Sequence, residues 1–374
     1  MRTLDIILPL TWAALSLANS QEPLLPNLQP TCVAFDPYSY SQNVARCPAI
    51  NRATSQPVEL DLQYVDINPT AEKILLFVHG WPALWSTWSN QIKHFEASIP
   101  ELLAKNYRLI IPNLRGFGAS THPGDIESSS TMADMVSDLA CILGLASPKS
   151  KAVCIGHDWG AQICWEAARM RPDLIEAVAG AVVPYIAAAG PFMPIEQVAL
   201  AVPKLAYQTY FEKNTEEATL ELDSSIRRTL RATYRSSSSP PPSTFLSRTR
   251  PFLEAYKDID VIPPIPFMSS VEEDYLVEQY LLQGFRNTLQ FYTHGNRYGS
   301  WAFDHSQGNL SISQPALFIP PTNDPVADWE SVATLLGSAS FFSYLRVENV
   351  ALNGLTWVPV GTPFQLNWLK LVFI

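Results

Sequence analysis

Ten residues, Lys151 to Gly160, read K-A-V-C-I-G-H-D-W-G and constrain the fold more than any other stretch of this chain. The apolar run Ala152 to Ile155 has the length of a buried strand, and a helical pattern runs from Ala161 to Arg169. Between them Gly156 and Gly160 bracket Asp158, and small residues on both sides let a strand turn into a helix within a few residues. A strand feeding directly into a helix is the first half of a crossover unit, and such units build parallel sheets. The turn also presents Asp158 at its apex, where a nucleophile would stand. A carboxylate is a poor agent of acyl transfer, but it can displace a leaving group from an sp³ carbon and leave an alkyl ester. Epoxides and alkyl halides are therefore the substrates to weigh, ahead of esters and amides. Taken alone, Asp158 is an N-cap for the helix that follows; the rest of the chain decides between the two roles.

The same unit recurs. Ile74 to Val78 is a short apolar run ending in His79-Gly80-Trp81-Pro82, and Tyr107 to Pro112 is another, ending in Asn113-Leu114-Arg115-Gly116-Phe117-Gly118. Ala177 to Val183 is a further run, and Met132 to Leu143 is one of the helical patterns between runs. Val58 to Ile67 alternates apolar and polar residues, which predicts an antiparallel edge strand. Apolar strands alternating with helices predict an α/β fold with a mostly parallel, doubly wound sheet. The alternation stops at about residue 186. Helical stretches follow (Glu196 to Glu212, Glu216 to Tyr234, Val271 to Phe285), and strands resume at Ala316 to Ile319 and Phe341 to Val350. This order predicts a core of residues 56–185 and 313–374 with a helical cap, 186–312, over the carboxyl ends of the strands, where open α/β sheets bind ligands.

Composition limits the setting. The chain has 374 residues, 47% of them hydrophobic and 16% charged, with a net charge of −10. With a pI near 5.1 it is unsuited to nucleic acid or to anionic membrane surfaces. Residues 1–20 have the form of a secretory signal: Arg2, the apolar run Ile6 to Ala18, and small residues Ala18 and Ser20 ahead of a cleavage point before Gln21. An uncleaved anchor is the alternative; after cleavage no segment approaches the length of a membrane span. Residues 21–55 read as a Pro-, Ser- and Asn-rich arm. Of five cysteines, Cys141, Cys154 and Cys164 lie in regular apolar segments and read as buried thiols. Cys32 and Cys47 flank a loop-like stretch and either join in a disulfide or stay unpaired. Asn309-Leu310-Ser311 is a glycosylation sequon, usable only if the chain is secreted.

His79-Gly80-Trp81-Pro82, Arg115-Gly116-Phe117-Gly118-Ala119-Ser120 and Gly156-His157-Asp158-Trp159-Gly160 together resemble the motifs of epoxide hydrolases of the α/β-hydrolase fold, over nearly all of residues 55–374. In general character the chain looks like a secreted fungal member, and the resemblance points to secondary metabolism and to chemistry without a cofactor or metal. The resemblance implies that Asp158 is the nucleophile and that the backbone N–H groups of Trp81 and Trp159 polarise its ester. Haloalkane dehalogenases share the HGxP and GHDWG pair, so the cap has to discriminate. Epoxide opening leaves an alkoxide that needs a proton donor, and neutral phenols suit the task. Tyr207-Gln208-Thr209-Tyr210-Phe211 resembles the first cap motif, and Gly284-Phe285-Arg286 followed by Gln290-Phe291-Tyr292 resembles the second. Tyr207 and Tyr292 then become the proton donors, and a small hydrophobic epoxide the substrate. A dehalogenase would instead hold a halide with indole or amide donors; Trp159 is available, but Trp81 replaces the asparagine common in that family.

Asp324, in Asn323-Asp324-Pro325-Val326, stands where the family's charge-relay acid is expected, with Asp328 as the weaker alternative. The family's histidine base is absent. Asn353-Gly354-Leu355-Thr356-Trp357-Val358-Pro359 puts Thr356 at its position and leaves Asp324 orphaned. The six histidines are His79, His94, His122, His157, His294 and His305; the first and fourth belong to the turn motifs, His94 and His122 read as surface residues, and His294 and His305 fall in the cap. Threonine cannot activate water at neutral pH. The sequence thus predicts ester formation without efficient hydrolysis, and leaves three readings: a hydrolase with impaired turnover, an epoxide-opening cyclase that uses no water, and a ligand-binding protein without catalysis. Oligomeric state is left open.

Overall fold

The computed structural model describes residues 34–98, 107–247, 249–322, 324 and 326–350. The signal reading, Cys32, and Thr356 with its surroundings lie outside the described residues. Among the described residues, eight strands form one sheet in the order β1-β2-β4-β3-β5-β6-β7-β8. They are β1 (Gln42–Asn51), β2 (Gln56–Ile67), β3 (Lys73–Val78), β4 (Tyr107–Pro112), β5 (Ala152–His157), β6 (Ile175–Ala181), β7 (Ala316–Ile319) and β8 (Leu345–Val347). β2 is antiparallel to both β1 and β4. From β4 to β8 the neighbours are parallel. The chain belongs to the α/β class that the alternating pattern predicts.

The all-apolar runs are explained by burial on two faces. Ala152 and Cys154 of β5 pack into one hydrophobic cluster, and Val153 and Ile155 into another on the opposite face. Helices Met132–Ala146 and Trp159–Met170 belong to the first cluster, Ser89–Ser98 to the second. The chain reverses direction across the sheet at β3, which has β4 on one side and β5 on the other. The carboxyl ends of β3 and β5 carry the His79 and Asp158 turns, so both motifs meet at this switch point.

Three expectations need correction. First, the edge of the sheet is β1, from within residues 21–55, and β2 lies inside it. Pro48 sits in β1, a residue tolerated on an edge strand because no ladder donor is required there, and it masks the strand in the sequence. Second, Cys47 is bonded to Cys141, not to Cys32. The edge strand lies against the helix Met132–Ala146, bringing the two Cα atoms within 5.9 Å although 94 residues separate them in sequence. Third, Cys154 and Cys164 are not thiols but a second disulfide. The tight turn at Asp158 folds the helix back along β5 and puts these residues, ten apart in sequence, side by side.

Between β6 and β7 the described residues hold helices and no strand of the sheet: Ile195–Ala201, Tyr207–Lys213, Thr215–Asp223, Ile226–Thr233, Ser270–Leu281 and His294–Gln307. Two long predicted helices are broken. Pro203 interrupts the first. Ser225, with φ −155° and ψ 86°, interrupts the second. The helical insertion is tied to the core by polar contacts at the strand ends. Trp81 Nε1 donates to Thr288 Oγ1 (3.1 Å), Tyr280 Oη to the Pro82 carbonyl (2.6 Å) and Gln290 Nε2 to the Arg115 carbonyl (2.7 Å). Asn296 donates to the Ile126 carbonyl and accepts from the Ser130 N–H. Among the described residues no helix is long and apolar enough to cross a membrane.

Candidate active site

Asp158 sits between β5 and the helix Trp159–Met170 with φ 56° and ψ −127°. That is costly for a residue with a Cβ, and such strain is kept only where surroundings impose it. The surroundings here are glycines. A Cβ on Gly156 would collide with the Gly160 carbonyl, and one on Gly160 with the Val78 carbonyl of β3. A Cβ on Gly80 would strike Asp158 Oδ1 itself. The two glycine-flanked turns therefore approach each other only as these sequences are written, and the close approach puts the Trp81 N–H on the Asp158 carboxylate.

Asp158 Oδ1 accepts from that N–H at 2.9 Å. The Trp159 N–H is its other backbone donor. Despite both, burial pushes the Asp158 pKa up to about 7, with the Asp324 charge adding to the rise. The peptide bond Trp81–Pro82 is cis. His79 ties the turns together from below: Nδ1–H donates to the Gly80 carbonyl (2.8 Å) and Nε2 accepts from the Leu114 N–H (3.0 Å). Burial drives its pKa down to about 4, so it stands neutral and structural. The Arg115 motif is held likewise, its guanidinium paired with buried Asp138 through Nε (2.6 Å) and donating to the Ser129 carbonyl.

The structure brings Tyr207 and Tyr292 to this carboxylate. Both are buried, their ring centroids 5.9 Å apart. Burial comes first in raising both phenols above their ordinary range, and the Asp158 charge raises each further. Gln208 Nε2 donates to the Tyr207 hydroxyl (3.4 Å). The Tyr292 hydroxyl makes no hydrogen bond of good geometry among the described residues, though the Tyr207 and Trp159 side chains interact with it. Apolar rings complete the walls. Trp81 meets Phe211 and Phe252 edge-on at 5.3 and 5.8 Å. Trp159 stacks on Phe291 at 5.4 Å.

Asp324 lies just past β7, accepting from the Val326 N–H (2.9 Å) and Trp329 Nε1 (2.8 Å). Asp328 caps the next helix through the Ser331 N–H, away from this role. Among the described residues, the two cap histidines are both engaged elsewhere. His305 bonds to the Ala188 carbonyl (2.7 Å) and stacks on Trp301; His294 is exposed beside Phe192 and Tyr298. His122, read from sequence as a surface residue, is half-buried; burial lowers its pKa to about 4, and its Nε2 lies 3.1 Å from Ser130 Oγ. The loop that carries it is held against the insertion by the bonds of Ile126 and Ser130 to Asn296, which the sequence did not signal. A residue the motifs also miss is Tyr234, fully buried and within the field of Asp158. Asn309 is exposed on the loop after His294–Gln307.

Comparison with known proteins identifies the fold family. The family model for the alpha/beta hydrolase fold matches residues 73–346. The chain is 30% identical over 346 residues to the bifunctional epoxide hydrolase 2 of Sus scrofa, covering 86% of this chain and 58% of that protein. It is 25% identical over 312 residues to an epoxide hydrolase of Neurospora crassa, covering 81% and 86%. The chain spans about half the length of the bifunctional relatives it matches. Among solved structures, epoxide hydrolase A from Mycobacterium thermoresistibile superposes with a TM-score of 0.66 at 24% identity, covering 88% of this chain and 98% of that one.

Proposed function

The chain belongs to the α/β-hydrolase family as an epoxide hydrolase-like member, and from that premise we propose that it is an enzyme that opens a hydrophobic epoxide by nucleophilic attack of Asp158. The observation that carries this reading is the pairing of a strained, buried carboxylate held by the Trp81 N–H with two buried phenols, Tyr207 and Tyr292, across from it. The oxygen that accepts the backbone N–H groups becomes the ester carbonyl, and the other oxygen attacks the less hindered epoxide carbon. The C–O bond breaks as the Asp158–carbon bond forms, and the phenols supply the hydrogen bond and proton that the emerging alkoxide needs. The apolar ring walls fit a hydrophobic substrate arm. A haloalkane reading is weaker, because Trp81 stands where that family commonly has asparagine, and its indole N–H, bonded to Thr288, does not replace the missing amide donor.

Hydrolysis of the ester requires an activated water. With Thr356 at the family's histidine position, the sequence lacks the base that the family uses there, and turnover should be slow. This favours, as a second reading, an epoxide-opening cyclase in which a hydroxyl of the substrate itself attacks; a protein that binds its ligand without turnover is the third. Secretion, glycosylation at Asn309 and a place in secondary metabolism belong to the same proposal, and two disulfides and an exposed sequon support an oxidising compartment.

Reaction in ¹⁸O-labelled water separates the readings. A hydrolase places label first in the Asp158 carboxylate and, after further turnovers, in a diol. A cyclase yields a cyclic ether without label. The double change Leu355→Gly with Thr356→His is expected to raise diol formation about 10²-fold or more, the worth of a positioned general base. An ester that forms but hydrolyses no faster in that variant would rule out loss of the histidine as the sole defect.

A further inference from the structure

The buried tyrosines around Asp158 do not share one function. Tyr280 has a structural partner, donating to the Pro82 carbonyl beside the Trp81 turn. Tyr234, its neighbour, has none. It closes the helix Ile226–Thr233 and is 0% exposed, with its ring edge-on to Phe267 at 6.0 Å. Its backbone is held in place by Arg235, whose Nε donates to the Tyr234 carbonyl (3.0 Å) and whose other arm reaches the Pro264 carbonyl (2.7 Å). Its hydroxyl is buried and makes no hydrogen bond among the described residues. The Asp158 charge acts on that hydroxyl, as it does on those of Tyr207 and Tyr292.

An unsatisfied buried hydroxyl costs stability, and phenylalanine would fill the same space without the cost. The hydroxyl is therefore unexplained by packing. A ligand entering next to Asp158 would explain it. Resting on the reading that Asp158 opens an epoxide, we propose that Tyr234 is a third hydrogen-bond donor of the site and takes a second oxygen of the substrate. The substrate class is then an oxygenated epoxide, carrying a carbonyl, ether or hydroxyl oxygen a few bonds from the ring, rather than a plain hydrocarbon epoxide. A neutral oxygen fits better than a carboxylate, because the Asp158 charge acts on the same hydroxyl. Tyr207 and Tyr292 then serve the epoxide oxygen, so the two oxygens of one substrate find separate donors.

The test uses a series of terminal epoxides of equal length, one a hydrocarbon and the others carrying a ketone two to six bonds from the ring. The first-turnover rate of mass addition to Asp158 is measured for the full chain and for Tyr234→Phe. The parent is expected to prefer at least one ketone over the hydrocarbon by about 10-fold or more, and Tyr234→Phe to reduce that ratio to within about 3-fold, the range of one buried polar contact. An unchanged ratio in the variant, or no preference in the parent, overturns the proposal. If no epoxide marks Asp158 in either protein, the epoxide reading has failed, and Tyr234 is judged by binding of the matching epoxide-free ketone and alkane. Ketone binding about 10-fold tighter than alkane in the parent, lost in the variant, sustains the third donor. Equal binding in the parent removes it, even should the variant not fold.

Discussion

Asp158 combines two unfavourable conditions: a backbone at φ 56° and a carboxylate removed from water. Its pKa of about 7 lies far above the ordinary aspartate value. Only the carboxylate can attack, so adduct formation should rise with pH through about 7 and then level off. The plateau should extend into alkaline solution, since burial raises the phenols Tyr207 and Tyr292 rather than lowering them. The same shift has a stability sign. A folded pKa above the unfolded one means that the fold binds this proton more tightly, so stability from Asp158 is present below about pH 4 and is lost as pH rises to about 7. Asp158→Asn should abolish the adduct and melt higher than the parent, the gap widening between about pH 4 and 7 and holding steady above. A gap independent of pH, read by thermal denaturation, would contradict the buried-carboxylate account. At this scale Asp158 and Trp81 were legible because each sits inside a short motif whose glycines permit one geometry. Tyr234 was not, because one tyrosine among fourteen carries no local signal and its position depends on how the cap folds.

The elements that were legible are those whose own sequence states their burial. The runs ending at His79, Asn113 and Asp158 read as strands because both faces are covered, whereas β1, half exposed and carrying Pro48, passed as an arm. Long-range pairing was illegible for a related reason: nothing local to Cys47 indicates Cys141, which only the seating of β1 against Met132–Ala146 brings near. That disulfide fastens the edge strand to the helical layer. Replacing both cysteines, Cys47→Ser with Cys141→Ser, should lower unfolding stability by about 2–4 kcal/mol, as for other long closed loops. Urea denaturation with and without reductant checks this. A parent whose midpoint is indifferent to reductant would show that the bond does not form.

Over the whole molecule, the sheet supplies a rigid frame and the insertion a roof. The frame fixes Asp158 and Trp81 at the carboxyl ends of β5 and β3, and the roof lowers Tyr207 and Tyr292 onto them through Trp81–Thr288, Gln290–Arg115 and the Asn296 contacts. Neither part alone holds the carboxylate and the two phenols together, which is why the predicted chemistry depends on the cap being in place. The central claim is that this arrangement makes Asp158 a carbon nucleophile toward epoxides. The measurement that tests it most directly is intact-protein mass after incubation with a panel of epoxides, followed by peptide mapping. The account predicts one added epoxide mass on the peptide bearing Asp158, persisting for lack of a base at residue 356 and absent in Asp158→Asn. An unmodified Asp158 across the panel, or equal labelling of the Asp158→Asn protein, would contradict it.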